Sequence, residues 1–186
     1  MNRLLIHLPN LMTSLRLVAA PFLALLVLDG RFEAALVIFA AAGASDAMDG
    51  YLAKRFGLMT TLGRFLDPAA DKLLMLASFV VLVAIGAAPV WLAAVVIGRD
   101  MLIVLGAALA WALDLPVRIA PLPLGKISTA LQILYIGTTL LFLVLGIDLP
   151  ALAGALVAVV AAFTLASGLN YATLGLKALA RASRTA

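Results

Sequence analysis

Cysteine is absent from the 186-residue chain. That excludes a disulfide framework, a thiolate-ligated metal and a cysteine nucleophile. Histidine occurs once, as His7 near the N-terminus, which argues against an imidazole-ligated metal cluster and against a Ser-His-Asp triad. Charge is scarce too: Asp, Glu, Lys and Arg make up 12% of the residues. A water-facing surface cannot be built from so few. The net charge of +4 is small and is not gathered into a basic stripe, so it points to membrane topology and anionic lipid, with no nucleic-acid partner. What is abundant is apolar. Hydrophobic residues are 66% of the chain and the mean hydropathy is +1.21, where a soluble domain is roughly half apolar. The chain reads as an all-α integral membrane protein of one domain, 1–186.

A spanning helix needs about 20 mostly apolar residues. Six stretches qualify: 11–28, 33–54, 66–86, 89–111, 126–146 and 150–174. The breaks "LDGRFE", "KRFGLMTTLGR", "GAAP", "LDLPVRIAPLPLGK" and "GIDLP" carry the Gly and Pro of turns. The organisation expected is an interfacial segment over 1–10 ended by Pro9, a six-helix bundle over 11–174 and a basic cytoplasmic tail over 175–186. Arg3 ahead of an apolar run is signal-peptide-like. Arg16 interrupts that run, however, and no small-residue cleavage site follows, so a retained first helix is expected.

The basic residues orient the bundle. Six spans put both termini on one side, with Arg3, Arg16, Lys54, Arg55, Arg64, Lys72, Arg118, Lys126, Lys177, Arg181 and Arg184. The opposite loops carry only Arg31, and Arg99 lies inside the fourth span. The positive-inside rule makes the termini cytoplasmic. The Ala-rich, cysteine-free composition suits a bacterial inner membrane.

Four aspartates stand out against this background. "SDAMDGYLAK" carries Asp46 and Asp49, three apart, and "GRFLDPAADK" carries Asp67 and Asp71, four apart. Each spacing puts both carboxylates on one helix face. A short connection makes helices two and three an antiparallel hairpin, with the four carboxylates near its loop. An aspartate at mid-bilayer costs roughly 2.5–3.5 kcal/mol, and four like charges repel, so a cation is required. Carboxylates without His or Cys suit a hard divalent ion, and four of them suffice for two ions, an arrangement used in phosphoryl chemistry. Gly50 and Ala53 leave a slot beside them for a flat group such as a nucleobase. The plainer alternative is a set of helix-end charges, with Asp67 before Pro68 as an N-cap.

The pattern Asp46-x2-Asp49-Gly50-x2-Ala53-Lys54-x8-Gly63-x3-Asp67-x3-Asp71 resembles the signature of the CDP-alcohol phosphatidyltransferase family. It departs only at Lys54, where the family usually has Arg; Arg55 follows. The resemblance implies a six-helix membrane enzyme that moves a phosphatidyl group from a CDP-linked donor, here CDP-diacylglycerol, to an alcohol and releases CMP. It implies Asp46, Asp49 and Asp67 as ligands of Mg²⁺ or Mn²⁺, two ions in all. Asp71 is implied as the base for the acceptor hydroxyl and a further ligand. Gly50, Ala53 and Gly63 are implied in the cytidine pocket, and Lys54 at the donor phosphates. A homodimer is also common in the family. Lysine lacks the planar, two-pronged phosphate contact of arginine, and Arg55 points about 100° away around the helix.

Other residues bear on the acceptor. "PNLMTSLR" resembles the first helix of phosphatidylglycerophosphate and cardiolipin synthases, with Asn10, Thr13 and Arg16 at helical spacing; Asn10 and Thr13 are expected on the donor side, Arg16 on the acceptor side. Arg99, Arg118 and Lys126 are candidates for an acceptor phosphate. The ordinary alternatives are snorkelling for Arg16, an ion pair with a site aspartate for Arg99, and topology alone for the other two. A phosphate-bearing acceptor argues against serine and ethanolamine and leaves phosphatidylglycerol, glycerol 3-phosphate, an inositol phosphate or another such alcohol. "RDMLIV", "GKISTALQ" and "ASGLNY" look more like the CDP-using cardiolipin synthases, which favours phosphatidylglycerol. A transporter would place its carboxylates near the midplane on broken helices, not at one end beside a cytoplasmic loop.

Overall fold

The computed structural model describes residues 3–56, 61–112 and 122–182, all its regular structure being helical. Six helices follow in order: α1 (Arg3–Leu28), α2 (Phe32–Phe56), α3 (Thr61–Ala84), α4 (Val90–Ala112), α5 (Pro123–Leu145) and α6 (Pro150–Ala182).

Three of the connections close in the same way. Gly30, Gly86 and Gly146 follow α1, α3 and α5 with φ of 72°, 75° and 62°. After α1 the Gly30 N–H donates to the Val27 carbonyl and the Arg31 N–H to Leu26; after α3 Gly86 reaches Val83 and Ala87 reaches Leu82. After α5 the Ile147 N–H reaches back to Phe142. These are Schellman closures, in which a left-handed residue lets the chain turn back and satisfy the last carbonyls, and glycine adopts that conformation without a Cβ penalty. The sequence breaks "LDGRFE", "GAAP" and "GIDLP" are these turns.

Two expected boundaries are absent. The interfacial segment was to end at Pro9, but α1 is continuous from Arg3. Asp67 was a candidate cap for a helix starting at Pro68, but α3 begins at Thr61 and leaves Asp67 well inside it. An internal proline removes one i→i−4 hydrogen bond, a loss that membrane helices tolerate where neighbours re-satisfy the carbonyl. At the other end, α6 runs for 33 residues, so the expected tail over 175–186 is helical as far as Ala182.

The chain divides into two compact units. The first comprises Met1–Ala88 and Ile136–Asp148, hence α1, α2, α3 and the end of α5. In it α1 packs against α2 and α3. Its core is apolar at helical spacing: Ala20, Leu23 and Val27 on α1, Ala35, Phe39 and Ala42 on α2, Leu74, Phe79 and Leu82 on α3. The second unit comprises Pro89–Tyr135 and Leu149–Ala186, and there α4 packs against α6. Its buried positions include Leu92, Val96 and Val160, but also Arg99, Ser128, Gln132, Thr164 and Ser167.

The outer surface is the reverse of a soluble protein's. Phe22, Leu25, Val37, Val80, Leu105 and Leu169 are each more than half exposed, and continuous apolar exposure of this kind belongs in lipid or against another chain. Six spans are predicted from the sequence. Among the described residues three helices are long and apolar enough to cross a membrane: Val90–Ala110, Pro123–Leu145 and Pro150–Lys177. Within the described residues the other three helices contribute the shorter apolar stretches Arg16–Leu28, Phe32–Ser45 and Lys72–Ala84. Asp46, Asp49, Lys54 and Arg55 belong to α2, and Arg64, Asp67 and Asp71 to α3.

Candidate functional site

The last turns of α2 carry Asp46, Asp49, Gly50, Ala53 and Lys54, and the first turns of α3 carry Gly63, Asp67 and Asp71. Both helices belong to the first unit. Their backbones keep the register read from the sequence, i and i+3 on α2, i and i+4 on α3, so each pair shares a face of its helix. The side chains of these eight residues, and of Asn10 and Thr13 on α1, lie outside the described residues. Helix α2 stays regular up to the first aspartate: the Ser45 hydroxyl donates to the Ala41 carbonyl at 2.7 Å, one turn back on its own helix. On α3, Leu74 and Ser78 begin the buried face beyond Asp71, and the Ser78 hydroxyl is likewise turned back, to the Leu74 carbonyl at 2.8 Å.

Arg16 is the charged residue of α1 that the fold buries, at 2% exposure. It shares its face with Ala20, Leu23 and Val27, and Thr13 occupies the preceding position of that face by register.

Of the acceptor candidates, Arg16 belongs to the first unit, and Arg99 and Lys126 to the second. Arg99 on α4 is buried at 7% exposure. Its Nη1 pairs with the carboxylate of the next residue, Asp100, at 2.7 Å. Its Nε and Nη2 donate to the Ser167 hydroxyl on α6 at 3.2 and 3.0 Å, and Nη2 also approaches the Gly125 carbonyl on α5 at 3.4 Å. The guanidinium carbon stands 5.7 Å from the centre of the Tyr171 ring, within cation–π range. Among the described residues the carboxylate beside Arg99 is its own neighbour Asp100; the side chains of the site aspartates lie outside the described residues. Lys126, in the first turn of α5, is exposed. Arg118 lies outside the described residues.

Below Arg99 the polar contacts continue between α5 and α6. Ser128 and Thr164 hydroxyls lie 3.1 Å apart, and the Gln132 amide donates to Ser128 at 3.3 Å and to Thr164 at 3.1 Å. All three are buried to 1% exposure or less. Above Arg99, the Tyr171 hydroxyl accepts the Leu122 N–H at 3.1 Å. Sequence reasoning assigned no role to Tyr171, Ser167, Gln132, Ser128 or Thr164. A signal for them exists: residues 125, 128 and 132 of α5 and 164, 167 and 171 of α6 repeat at helical spacing within otherwise apolar helices.

The donor set on α2 and α3 is chemically specific. It offers four carboxylates with neither thiol nor imidazole beside them in sequence, which is the set that hard divalent cations prefer. Comparison with known proteins gives the same direction. The family model for CDP-alcohol phosphatidyltransferase matches residues 6–166. The cardiolipin synthase (CMP-forming)/mitochondrial hydrolase fusion protein of Schizosaccharomyces pombe is 34% identical over 179 residues, covering 88% of this chain but only 30% of that longer protein. The CDP-diacylglycerol–glycerol-3-phosphate 3-phosphatidyltransferase of Bacillus subtilis is 35% identical over 150 residues, 73% of this chain and 77% of its own length. A probable phosphatidylglycerophosphate synthase of Mycobacterium tuberculosis is 33% identical over 192 residues, 97% of this chain and 87% of its own. With the aspartate spacing on α2 and α3, these matches make the chain a member of the CDP-alcohol phosphatidyltransferase family.

Proposed function

We propose that the chain transfers the phosphatidyl group of CDP-diacylglycerol to an alcohol and releases CMP, with phosphatidylglycerol as the acceptor and cardiolipin as the product. The observation that carries the reading is the aspartate pattern from Asp46 to Asp71, held on two helical segments of one unit. In the reaction the acceptor hydroxyl oxygen forms a bond to the phosphatidyl phosphorus. The bond from that phosphorus to the CMP oxygen breaks, and CMP leaves with the electron pair. The hydroxyl proton passes to Asp71.

Asp46, Asp49, Asp67 and Asp71 would hold Mg²⁺ or Mn²⁺, two ions in this reading. When bound, the metal supplies neutralisation of the diphosphate and of the charge that develops on departing CMP. The protein's own share is positional. Gly50, Ala53 and Gly63 leave room for cytidine, Lys54 meets the donor phosphates, and Asn10 and Thr13 extend the donor side along α1. Asp71 is a weak base, so orienting the hydroxyl for in-line attack matters more than its proton affinity. Arg16, Arg99, Arg118 and Lys126 are the residues assigned to the acceptor's phosphate.

Glycerol 3-phosphate is the second reading, because relatives of similar identity are named for that transfer. The enzyme is further read as a six-span homodimer of a bacterial inner membrane, with its aspartates toward the cytoplasm. The test is an acceptor series. The protein, in mild detergent with Mg²⁺ or Mn²⁺, receives CDP-diacylglycerol and each alcohol in turn, and CMP release is followed. CMP and new cardiolipin with phosphatidylglycerol alone support the first reading. CMP with glycerol 3-phosphate selects the second. Silence with every alcohol under both metals overturns the reaction.

A further inference from the structure

Among the described residues, no side chain of its own segment caps the start of helix α5. Leu122 is its N-cap residue, since the Lys126 N–H donates to the Leu122 carbonyl at 3.2 Å. Leucine offers no side-chain acceptor for the free N–H groups of the first turn and ranks low at this position. Pro123 suits the next position but adds no donor and no partner. What holds the start of α5 comes from α6. Tyr171 accepts the Leu122 N–H at 3.1 Å. The Leu122 backbone therefore joins Tyr171 to Lys126 through two hydrogen bonds on its successive peptide groups, one at its N–H and one at its carbonyl.

The tyrosine is itself fixed. Its ring lies under the Arg99 guanidinium, and Arg99 is held by Asp100 and Ser167. Gly125 makes room for both: a Cβ there would stand 2.9 Å from Arg99 Nη2 and 3.1 Å from the Tyr171 hydroxyl. The consequence is a buried hub on α4, α5 and α6 whose outermost member fixes the backbone that carries an exposed lysine.

We propose that Tyr171 is a positioning residue for acceptor recognition, holding the N-terminus of α5 so that Lys126 meets the acceptor's phosphate from a fixed place. The inference rests on the proposed reaction and adds to it a residue that touches neither substrate. It predicts a specific kinetic signature. Freeing the start of α5 weakens acceptor capture and leaves donor binding and the chemical step alone.

The test uses Tyr171→Phe, which keeps the ring and removes the hydroxyl. Gly125→Ala is the second variant, since its Cβ would press on the Arg99 guanidinium and on the Tyr171 ring and hydroxyl, side-chain atoms and not backbone. The first readout is direct. Pro121–Leu122 and Pro123–Leu124 are the chain's only Pro–Leu steps. Carbonyl-¹³C proline combined with ¹⁵N leucine therefore isolates the Leu122 and Leu124 amides by NMR. Hydrogen exchange at Leu122 is expected to speed up about fivefold in Tyr171→Phe, the size of one net hydrogen bond. The second readout is kinetic, with phosphatidylglycerol or glycerol 3-phosphate, whichever the parent protein uses. The acceptor KM should rise about threefold or more in both variants, with kcat and the donor KM within about twofold, because one hydrogen bond separates the two states.

Unchanged Leu122 exchange would overturn the proposal. So would faster exchange with an unmoved acceptor KM, which would leave Tyr171 a purely structural tie. A parallel fall in kcat, both KM values and thermal stability would also overturn it, as general damage. A parent protein silent with every acceptor would instead overturn the underlying reaction, and the proposal with it.

Discussion

Replacing Gln132 by leucine and Thr164 by valine, singly and together, measures how α5 and α6 are held. Gln132 donates to Thr164 across the helix pair at 3.1 Å and to Ser128 along its own helix at 3.3 Å, while Ser128 and Thr164 meet independently at 3.1 Å. Leucine is close to glutamine in size, so the first change removes two bonds without opening a cavity. Interhelical hydrogen bonds in membrane proteins average about 0.6 kcal/mol and reach about 1.7, which sets the cost of Gln132→Leu at about 1 kcal/mol. Thr164→Val removes both cross-helix bonds and leaves the Gln132 amide, 1% exposed, with one described partner. A buried donor that loses its partner costs roughly 1–3 kcal/mol, so about 2 kcal/mol is expected. The double variant has no stranded amide, and its cost should fall short of the sum by about 0.5–1.5 kcal/mol. Unfolding in mixed micelles against added SDS, followed by circular dichroism, reads all four proteins. Strict additivity within about 0.3 kcal/mol would refute the network. A loss above about 4 kcal/mol for Gln132→Leu alone would show that more than hydrogen bonding is at stake there.

Further outcomes are expected from other positions. Asp71→Asn should lower kcat by about 10²–10⁴-fold, the usual share of a general base, while CDP-diacylglycerol binding, read by titration, persists; lost folding or donor affinity would mean a structural carboxylate. Lys54→Arg should leave the donor KM equal or lower, because arginine restores the planar phosphate contact; a large rise would show that lysine makes a different contact here. Gly86, at φ +75° with open space around it, should lose roughly 1–2 kcal/mol on change to alanine for the left-handed backbone alone. Gly43→Ala, in mid-helix with equally open surroundings, should gain about 0.5–1 kcal/mol. Thermal unfolding separates the two, and equal signs would refute the conformational account.

The elements were legible where local chemistry decides them. Three turns announce themselves through Gly30, Gly86 and Gly146, because a left-handed C-terminal position has one favoured residue. The start of α3 was not legible. Pro68 with Asp67 before it is a good local cap, yet the helix begins at Thr61, so tertiary setting overrode the local signal. Pro9 misled for the same reason. The aspartate motif was legible from spacing alone, since four carboxylates at i, i+3 and i, i+4 stand out in an apolar chain. Tyr171 was hidden because its partner is a backbone N–H, that of Leu122. A side-chain-to-backbone bond 49 residues apart leaves no mark on either sequence segment.

The two units use the same helical arithmetic with different chemistry. In the first, buried positions on α1 and α2 include Ala20, Ala35 and Ala42, small residues that let backbones approach. In the second, α5 and α6 face one another with Ser128, Gln132, Thr164 and Ser167, joined to α4 through Arg99. Lipid tails are as apolar as leucine, so burial of leucine alone gives helices little reason to prefer each other over lipid. Close packing and hydrogen bonds are what remain. Close packing tolerates small shifts along the helix axis, because one alanine face resembles the next. A hydrogen bond does not: moving α6 by one turn past α5 would replace Thr164 with Val160 or Gly168 opposite Ser128, and the pair would be lost. The polar ladder therefore fixes register in the unit to which Lys126 belongs.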